Sequence, residues 1–215
     1  MKRRSPSIVR FRRQEPPAAL AAVYHEAGAA ALSLVTDRPN FGTGPGDIRP
    51  MRDAVPLPLV AKDFVIDPWQ LLALRAAGAD CVLLIARLLD GAQLADLHAE
   101  AAELGLAALV ECHDEDDVTR ALAAGAALVG INNRDLDTFA VSLDTSRRLL
   151  RGMPTGTAVV VESDIAGRAG GRAAGPGRHR VPGRRLSLLR VTIRGRLLLS
   201  RRVVSRSQEA QAMTA

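Results

Sequence analysis

The sequence predicts an α/β protein, a TIM-type (β/α)8 barrel, and three observations carry that prediction. Short apolar segments typical of strands alternate with helical segments at regular intervals. These strands are apolar throughout rather than alternating, which indicates a parallel sheet covered on both faces. No glycine-rich dinucleotide or P-loop fingerprint is present, so a barrel is favoured over a doubly wound sheet. At 215 residues and 47% hydrophobic content, the chain can bury one sizeable core.

One local pattern marks the predicted strands: the end of an alanine-rich helix, a glycine, and then an apolar run. It precedes strands at 31–35, 81–85, 108–111 and 128–131. Glycine just past a helix end takes up the left-handed conformation that closes the helix and turns the chain.

Aspartates begin the helices between these strands. Asp67 starts one, Asp90 a second, and the acidic run at 114–117 a third. Four consecutive acids could form a metal cluster, but acids in a first helical turn cap free N–H groups and favour the helix dipole, and we prefer that interpretation. The glycine-rich segment at 42–46 lacks a following helix and lysine, which predicts a flexible loop.

The charge divides the chain into two parts. Residues 1–166 hold 17 basic and 22 acidic side chains, whereas 167–215 hold 12 arginines and one acid, so the net charge of +6 averages two regions. We predict a barrel-like domain over 1–166 and a basic Arg/Gly/Pro-rich tail over 167–215 that is either disordered or a frameshift product.

Composition also excludes several classes of protein. Cys81 and Cys112 lie in apolar runs without metal or redox spacing, which indicates reduced thiols in a cytoplasmic protein. The four histidines are scattered, so we predict no metal site. No apolar run is long enough to span a membrane, and no apolar stretch follows the basic N-terminus as in a secretory signal. An Arg-rich transit peptide is the less favoured alternative.

Lysine is rare in this chain. Only Lys2 and Lys62 occur, against 27 arginines. Arginine does not give up its proton in proteins, whereas lysine can once burial or charge lowers its pKa. A retained lysine is therefore a candidate proton donor or a compact ammonium for an anionic substrate. Two surface lysines retained by chance is the alternative.

Polar residues follow the apolar strands at one end of the predicted barrel. They are Lys62, Glu111, Asn132-Asn133-Arg134-Asp135 and Glu162-Ser163. Active sites of such barrels lie at the carboxyl ends of the strands, so we expect these side chains to share one mouth. Taken singly, Glu111 could be a structural ion-pair partner, and Arg134 and Asp135 a simple pair.

Several stretches resemble the indole-3-glycerol phosphate synthase family, in the family's order over about residues 1 to 166. They are Lys2-Arg3-Arg4-Ser5-Pro6-Ser7, Leu57-Pro58-Leu59-Val60-Ala61-Lys62-Asp63-Phe64-Val65-Ile66-Asp67-Pro68-Trp69-Gln70, Leu109-Val110-Glu111-Cys112-His113, Gly130-Ile131-Asn132-Asn133-Arg134-Asp135-Leu136 and Val161-Glu162-Ser163. The Lys-Asp-Phe and Ile-Asn-Asn-Arg-Asp motifs are the specific ones.

The resemblance implies a cofactor-free lyase of tryptophan biosynthesis. Such enzymes convert 1-(2-carboxyphenylamino)-1-deoxyribulose 5-phosphate to indole-3-glycerol phosphate, with loss of CO2 and water. It implies that Lys62 is the general acid, Glu111 the general base, and Lys2 a contact to the anionic substrate that shares in proton transfer. Asn132 and Glu162 would orient the substrate. The implied substrate-binding residues are Ser5, Pro6, Phe64, Arg134 and Ser163, with Phe64 and Pro6 flanking the anthranilate ring.

The chain also departs from the family pattern. A glutamate that the family carries two residues before the lysine is absent, which we interpret as a start codon placed too far downstream or a truncated gene. Asp164 stands where the family has a phosphate-binding glycine. Beyond about residue 166 the match ends, and a +1 frame would restore a motif like the eighth strand. The resemblance therefore implies an incomplete barrel, with its first strand truncated and its eighth strand unit replaced by the Arg/Gly-rich tail. Two open edges are costly, so we expect this chain to be poorly stable and weakly active or inactive.

Two other functions stay open. The chain could be an inactive remnant whose basic tail binds nucleic acid nonspecifically, or another phosphate-binding barrel such as phosphoribosylanthranilate isomerase, whose residues do not match Lys62-Asp63-Phe64 or Glu111. We expect a small phosphorylated substrate as the partner, no specific nucleic acid and no membrane. The sequence leaves the oligomeric state open.

Overall fold

The computed structural model describes residues 1–5, 14–135 and 138–163, together with the backbone of two strands at 190–193 and 196–197. The strands are β1 (Leu32–Val35), β2 (Leu59–Lys62), β3 (Cys81–Ile85), β4 (Ala107–Cys112), β5 (Leu128–Asn132), β6 (Ala158–Glu162), β7 (Arg190–Ile193) and β8 (Arg196–Leu197). The α-helices are α1 (Pro17–Glu26), α2 (Arg38–Phe41), α3 (Ile48–Ala54), α4 (Pro68–Ala77), α5 (Gly91–Glu103), α6 (Glu115–Ala123) and α7 (Leu143–Gly152).

Strands β1 to β6 form a parallel sheet in chain order, each hydrogen-bonded to the next. Helical crossovers connect them, and the fold is an incomplete (β/α)8 barrel, as the sequence predicts. Beyond β6 the direction changes, because β7 pairs antiparallel with β6 and β8 pairs antiparallel with β7. The rest of the predicted tail at 167–215 lies outside the described residues.

The sequence signals for helix ends are confirmed. Gly78 (φ 102°) and Gly105 (φ 67°) are left-handed where α4 and α5 end. Each predicted aspartate accepts a hydrogen bond from a backbone N–H in the first turn of its helix: Asp67 from Trp69, Asp90 from Gln93, and Asp114 from Asp117.

The structure corrects the flexible loop predicted at 42–46. α2 ends at Phe41 and is capped by the left-handed Gly42, and a 3-10 turn follows at Pro45–Asp47. The Asp47 carboxylate accepts from the Gly44 N–H at 2.9 Å and pairs with Arg38 at 3.0 Å. The sequence pattern did not indicate these side-chain bonds, which order the segment.

Both faces of the sheet are buried, and β3 shows how. Its residues alternate between two apolar clusters: Val82 and Leu84 belong to the outer one under the helices, and Cys81, Leu83 and Ile85 to the inner one. The inner cluster also contains Val60, Leu109 and Val160. Two covered faces explain why the strands are apolar throughout rather than alternating.

The first residues lie beside β1. The Met1 carbonyl accepts from the Val35 N–H at 2.9 Å, and the Met1 ammonium donates to the Ser33 carbonyl. This pairing brings Lys2 to the carboxyl end of β1. Among the helices that the structure describes, none is long and apolar enough to cross a bilayer.

The first acids of α6 provide a test of the capping interpretation. Asp114→Ala removes the cap to the Asp117 N–H and should lower the free energy of unfolding by about 1 kcal/mol. Asp116→Ala is the matched control, because Asp116 is exposed in the same turn, and it should cost no more than about 0.5 kcal/mol. Urea unfolding measures both. Equal losses would contradict the capping role of Asp114.

Candidate active site

The strand period of two places a polar side chain above an apolar one at the carboxyl end of the sheet. Val60, Leu109 and Val160 belong to the inner apolar cluster. Two residues further along each strand stand Lys62, Glu111 and Glu162, on the same inner face. Strand alternation thus directs one cation and two carboxylates into a single mouth, as the sequence predicts for these three residues.

The centre of the site is an ammonium between two carboxylates. Lys62 Nζ donates to Glu111 Oε2 at 2.7 Å and to Glu162 Oε2 at 3.2 Å. The Glu111 side chain is 2% exposed and that of Glu162 10%, whereas Lys62 is 33% exposed. The carboxylates are therefore buried, while one third of the Lys62 side chain is exposed.

Asn132, the last residue of β5, connects these charges to the neighbouring loop. Its Nδ2 donates to Glu111 Oε1 at 3.0 Å, and its Oδ1 accepts from the Ser163 hydroxyl at 2.6 Å and from the Arg134 N–H at 3.0 Å. These bonds fix the amide orientation, because Nδ2 faces a carboxylate and Oδ1 faces two donors. Ser163 sits at φ 63°, in the left-handed region, just past the end of β6.

The environments of the two carboxylates separate their pKa values. Burial alone raises the pKa of Glu111, but Lys62, His113 and Asn132 stabilise its charge and lower it to about 2. Burial raises the pKa of Glu162 above its usual range, against the attraction of Lys62. Burial opposes the charge of Lys62 too, but the two carboxylates outweigh burial and raise its pKa. The lowered pKa expected of a proton-donating lysine is therefore wrong for Lys62 and holds for Lys2 alone. A carboxylate held ionised beside one that more readily takes a proton is the usual arrangement for acid–base chemistry.

Lys2 reaches the same mouth from the N-terminal segment. Its Nζ donates to the buried Ser5 hydroxyl at 3.1 Å and lies 5.4 Å from the centre of the Phe41 ring. Burial and the positive charges of Arg134 and Lys62 lower its pKa. The positive charge of Lys62 therefore acts on Lys2 across the mouth.

The remaining predicted binding residues lie at the rim. Phe64 follows β2 and is 49% exposed. The Arg134 guanidinium donates to the Phe139 carbonyl at 2.9 Å. Pro6 and Asp164 lie outside the described residues.

The prediction for Asn133 is wrong, because we expected its side chain to share the mouth. Its Nδ2 donates to the Glu162 carbonyl at 3.1 Å, and its Oδ1 accepts from the Ser146 N–H of α7 at 3.1 Å. Side chains alternate along an extended chain, so Asn133 faces away from Asn132 and anchors α7 to the sheet.

The sequence analysis missed two residues of the site. Gly130 leaves the space that Glu162 occupies: a Cβ there would stand 3.0 Å from Glu162 Oε1. His113 is buried, with Nε2 3.4 Å from Glu111 Oε1. A signal for both existed, because Gly130 and His113 lie two residues from Asn132 and Glu111 and so share their face of the strand.

This arrangement suits the transfer of protons to and from a small anionic molecule. It offers an ammonium, two carboxylates of different basicity and a second lysine at the rim. Among the residues that the structure describes, no group of three or more histidine, cysteine, aspartate or glutamate side chains is placed to hold a metal ion. Fold and site together define a barrel of the class that performs acid–base chemistry at the carboxyl ends of its strands.

Comparisons with known proteins agree with this class. The model of the indole-3-glycerol phosphate synthase family matches residues 1–174. Proteins named indole-3-glycerol phosphate synthase from Parafrankia sp. (strain EAN1pec) and Nocardioides sp. (strain ATCC BAA-499 / JS614) are 47% and 48% identical over 167 residues. The match covers 78% of this chain and 62% and 64% of those relatives. The chain thus spans somewhat less than two thirds of their length.

A solved structure shows the same fold. KGPDC from Streptococcus mutans has a TM-score of 0.52 at 17% identity, over 69% of this chain and 72% of that one. At this identity the likeness concerns the fold alone. The family match covers most of the sequence, and this chain belongs to the indole-3-glycerol phosphate synthase family.

Removing the central ammonium should destabilise the protein in a pH-dependent way. In Lys62→Met, burial and the neighbouring charge of Glu111 would raise the pKa of Glu162 further above its unfolded value. A raised carboxyl pKa costs stability once the pH exceeds the unfolded value, so the deficit relative to wild type should be larger at pH 8 than near pH 5. The loss of unfolding free energy should stay below the ~3–5 kcal/mol that breaking a fully buried ion pair costs, because the Lys62 side chain is one-third exposed.

Urea unfolding at the two pH values measures this deficit. The double variant Lys62→Met/Glu162→Gln is the control, since it leaves a single carboxylate and should recover part of the loss at pH 8. The same deficit at both pH values would show that packing, not charge, is what Lys62 contributes.

Proposed function

We propose that this site serves the reaction of its family, and that the chain performs it weakly because its barrel is incomplete. It would convert 1-(2-carboxyphenylamino)-1-deoxyribulose 5-phosphate to indole-3-glycerol phosphate in tryptophan biosynthesis, with release of CO2 and water. The single observation that carries the proposal is the Lys62 ammonium, hydrogen-bonded to both Glu111 and Glu162 at the carboxyl end of the sheet. No cofactor is required, because the aromatic ring and the leaving carboxylate supply the electrons.

Lys62 is the general acid for ring closure. The aromatic carbon that bears the carboxylate bonds to the ketone carbon, and the ketone oxygen takes a proton from the ammonium. Loss of CO2 then returns the C–C bonding electrons to the ring and restores its aromaticity. Arginine cannot serve here because its guanidinium stays protonated in proteins, whereas an ammonium can release its proton once its surroundings disfavour the charge.

Glu111 is the general base for dehydration. The new hydroxyl leaves as water after protonation, and the base removes a proton from the neighbouring carbon so that the double bond of indole forms. A base must be ionised when it acts, and the lowered pKa of Glu111 is consistent with this requirement. Glu162, whose pKa is raised, is suited to hold or return a proton and to orient the substrate together with Asn132.

The other predicted residues contact the substrate around this centre. Lys2 pairs with the anionic part of the substrate, and Phe64 covers the anthranilate ring together with Pro6. Ser5, Arg134 and Ser163 line the mouth. Nucleic-acid binding by the basic tail stays a prediction. Apart from the two short strands, the tail lies outside the described residues.

Turnover by the purified chain tests this function. Formation of indole-3-glycerol phosphate can be followed by the fluorescence of the indole product. Lys62→Arg and Glu111→Gln should each lower kcat by about 10²-fold or more, because each removes a proton-transfer group without removing its volume. Glu115→Gln is the matched control: Glu115 is an exposed glutamate of α6, and its variant should keep wild-type kcat.

Two results would contradict the proposal. A wild-type chain without turnover would show that this chain does not perform the reaction. A Lys62→Arg variant with kcat within a few-fold of wild type would show that Lys62 is not the acid.

A further inference from the structure

A buried row of charged side chains runs from Glu111, the proposed general base, to helix α6. His113 Nε2 lies 3.4 Å from Glu111 Oε1, and His113 Nδ1 lies 3.5 Å from Asp117 Oδ2. The side chains of all three are at most 4% exposed. Each ring nitrogen thus lies within ion-pair distance of a carboxylate, although neither makes a hydrogen bond of normal geometry. Two adjacent carboxylates favour an imidazolium over a neutral ring.

The far end of this row is held firmly. Asp117 accepts from the His113 backbone N–H at 2.9 Å and from the Arg120 guanidinium at 2.6 Å. Arg120 also donates to the Leu89 carbonyl at 2.6 Å, which ties α6 to the segment after β3. Asp117 belongs to the acidic run at the start of α6, but it is buried and directed at the histidine, so it does more than cap the helix.

Other charged groups also surround His113 in the part of the chain that the structure describes. Arg87 opposes its positive charge, while Asp117 and Glu111 favour it. The charged residues that face it or share its cavity are Glu111 on β4, Asp117 and Arg120 on α6, Arg87 after β3, and Arg134 and Asp135 after β5. Burial lowers the pKa of His113, but the two carboxylates outweigh burial and raise it to about 9.

The reaction creates a need for this cation. Once Lys62 has given its proton to the ketone, Glu111 loses the positive partner 2.7 Å away. A carboxylate that is almost fully buried and has no cation takes up a proton, and it could then no longer act as a base. His113 supplies positive charge on the other oxygen of Glu111, away from Lys62.

We propose that His113, oriented by Asp117, is a positioning residue that keeps Glu111 ionised and directed at the mouth after Lys62 has released its proton. This inference rests on the proposed function. It concerns a residue that does not itself touch the substrate and whose influence passes through Glu111.

The ion pair can be measured without any catalysis. Long-range 1H–15N NMR spectra of the full chain follow the four histidine rings over pH, and His113→Gln identifies the His113 signal. We expect a midpoint near 9 in the wild type, falling by about one pH unit or more in Glu111→Gln, because coupling between two titrating groups is reciprocal. A midpoint near 6.5 in the wild type, or one that Glu111→Gln leaves unchanged, would overturn the proposal.

Kinetics test what the pair does. In His113→Gln we expect kcat to fall about tenfold with KM unchanged, since one unit of pKa corresponds to a tenfold change. The wild-type kcat should decline above pH 9 as the imidazolium deprotonates, and the variant should lack this step. His98→Gln, the same exchange on the outer helix α5, is the matched control and should behave as wild type.

A second variant covers the case in which His113→Gln does not fold. Asp117→Asn removes the charge that orients the ring, so the His113 midpoint and the alkaline decline of kcat should both move to lower pH. Wild-type kcat and an unchanged pH profile in both folded variants would overturn the proposal. If the wild type itself shows no turnover, the proposed function fails, and the NMR comparison alone decides whether His113 and Glu111 form the pair.

Discussion

The site depends on a single constraint: two buried carboxylates must share the ammonium of Lys62. Glu111 and Glu162 leave the sheet from strands that flank β5, and without a cation between them their charges would repel in a region of low polarity. Gly130 of β5 leaves the space beneath, and Asn132 fixes the orientation of Glu111. The geometry of β2, β4, β5 and β6 is therefore organised around one N–H···O network.

The apolar layers make that network possible. The inner cluster beneath the mouth excludes water from the lower side of the carboxylates, and the outer cluster holds the helices that carry Asp117 and Arg120. Water exclusion strengthens each charge interaction and separates the pKa values of the two carboxylates. The same core that stabilises the fold therefore tunes the proton donors and acceptors.

Much of this could be predicted from the sequence, for identifiable reasons. Apolar runs preceded by glycine located β1, β3, β4 and β5, and polar residues at strand ends located Lys62, Glu111 and Glu162. Contacts between side chains distant in the sequence could not be predicted in the same way. Asn133 follows Asn132 directly in the sequence, but its side chain contacts α7. Asp117 belongs by sequence to the capping acids of α6, but its carboxylate lies against the His113 ring. The 3-10 turn at Pro45–Asp47 depends on a hydrogen bond to the carboxylate of Asp47. Hydrophobic periodicity cannot predict such a bond.

The environment of Lys62 differs from that of Lys2, the other lysine of the chain, and the rarity of lysine makes this difference directly measurable. A sample labelled with 13C at the lysine ε-carbon gives two side-chain signals, from Lys2 and Lys62. Followed by NMR from pH 7 to 12, the two should titrate apart: Lys62 above the ordinary lysine pKa, because two carboxylates hold its proton, and Lys2 below it, because burial and neighbouring cations disfavour its charge. In Glu111→Gln the Lys62 midpoint should fall while that of Lys2 changes little. Two signals that titrate together at the ordinary value, in both proteins, would contradict the account.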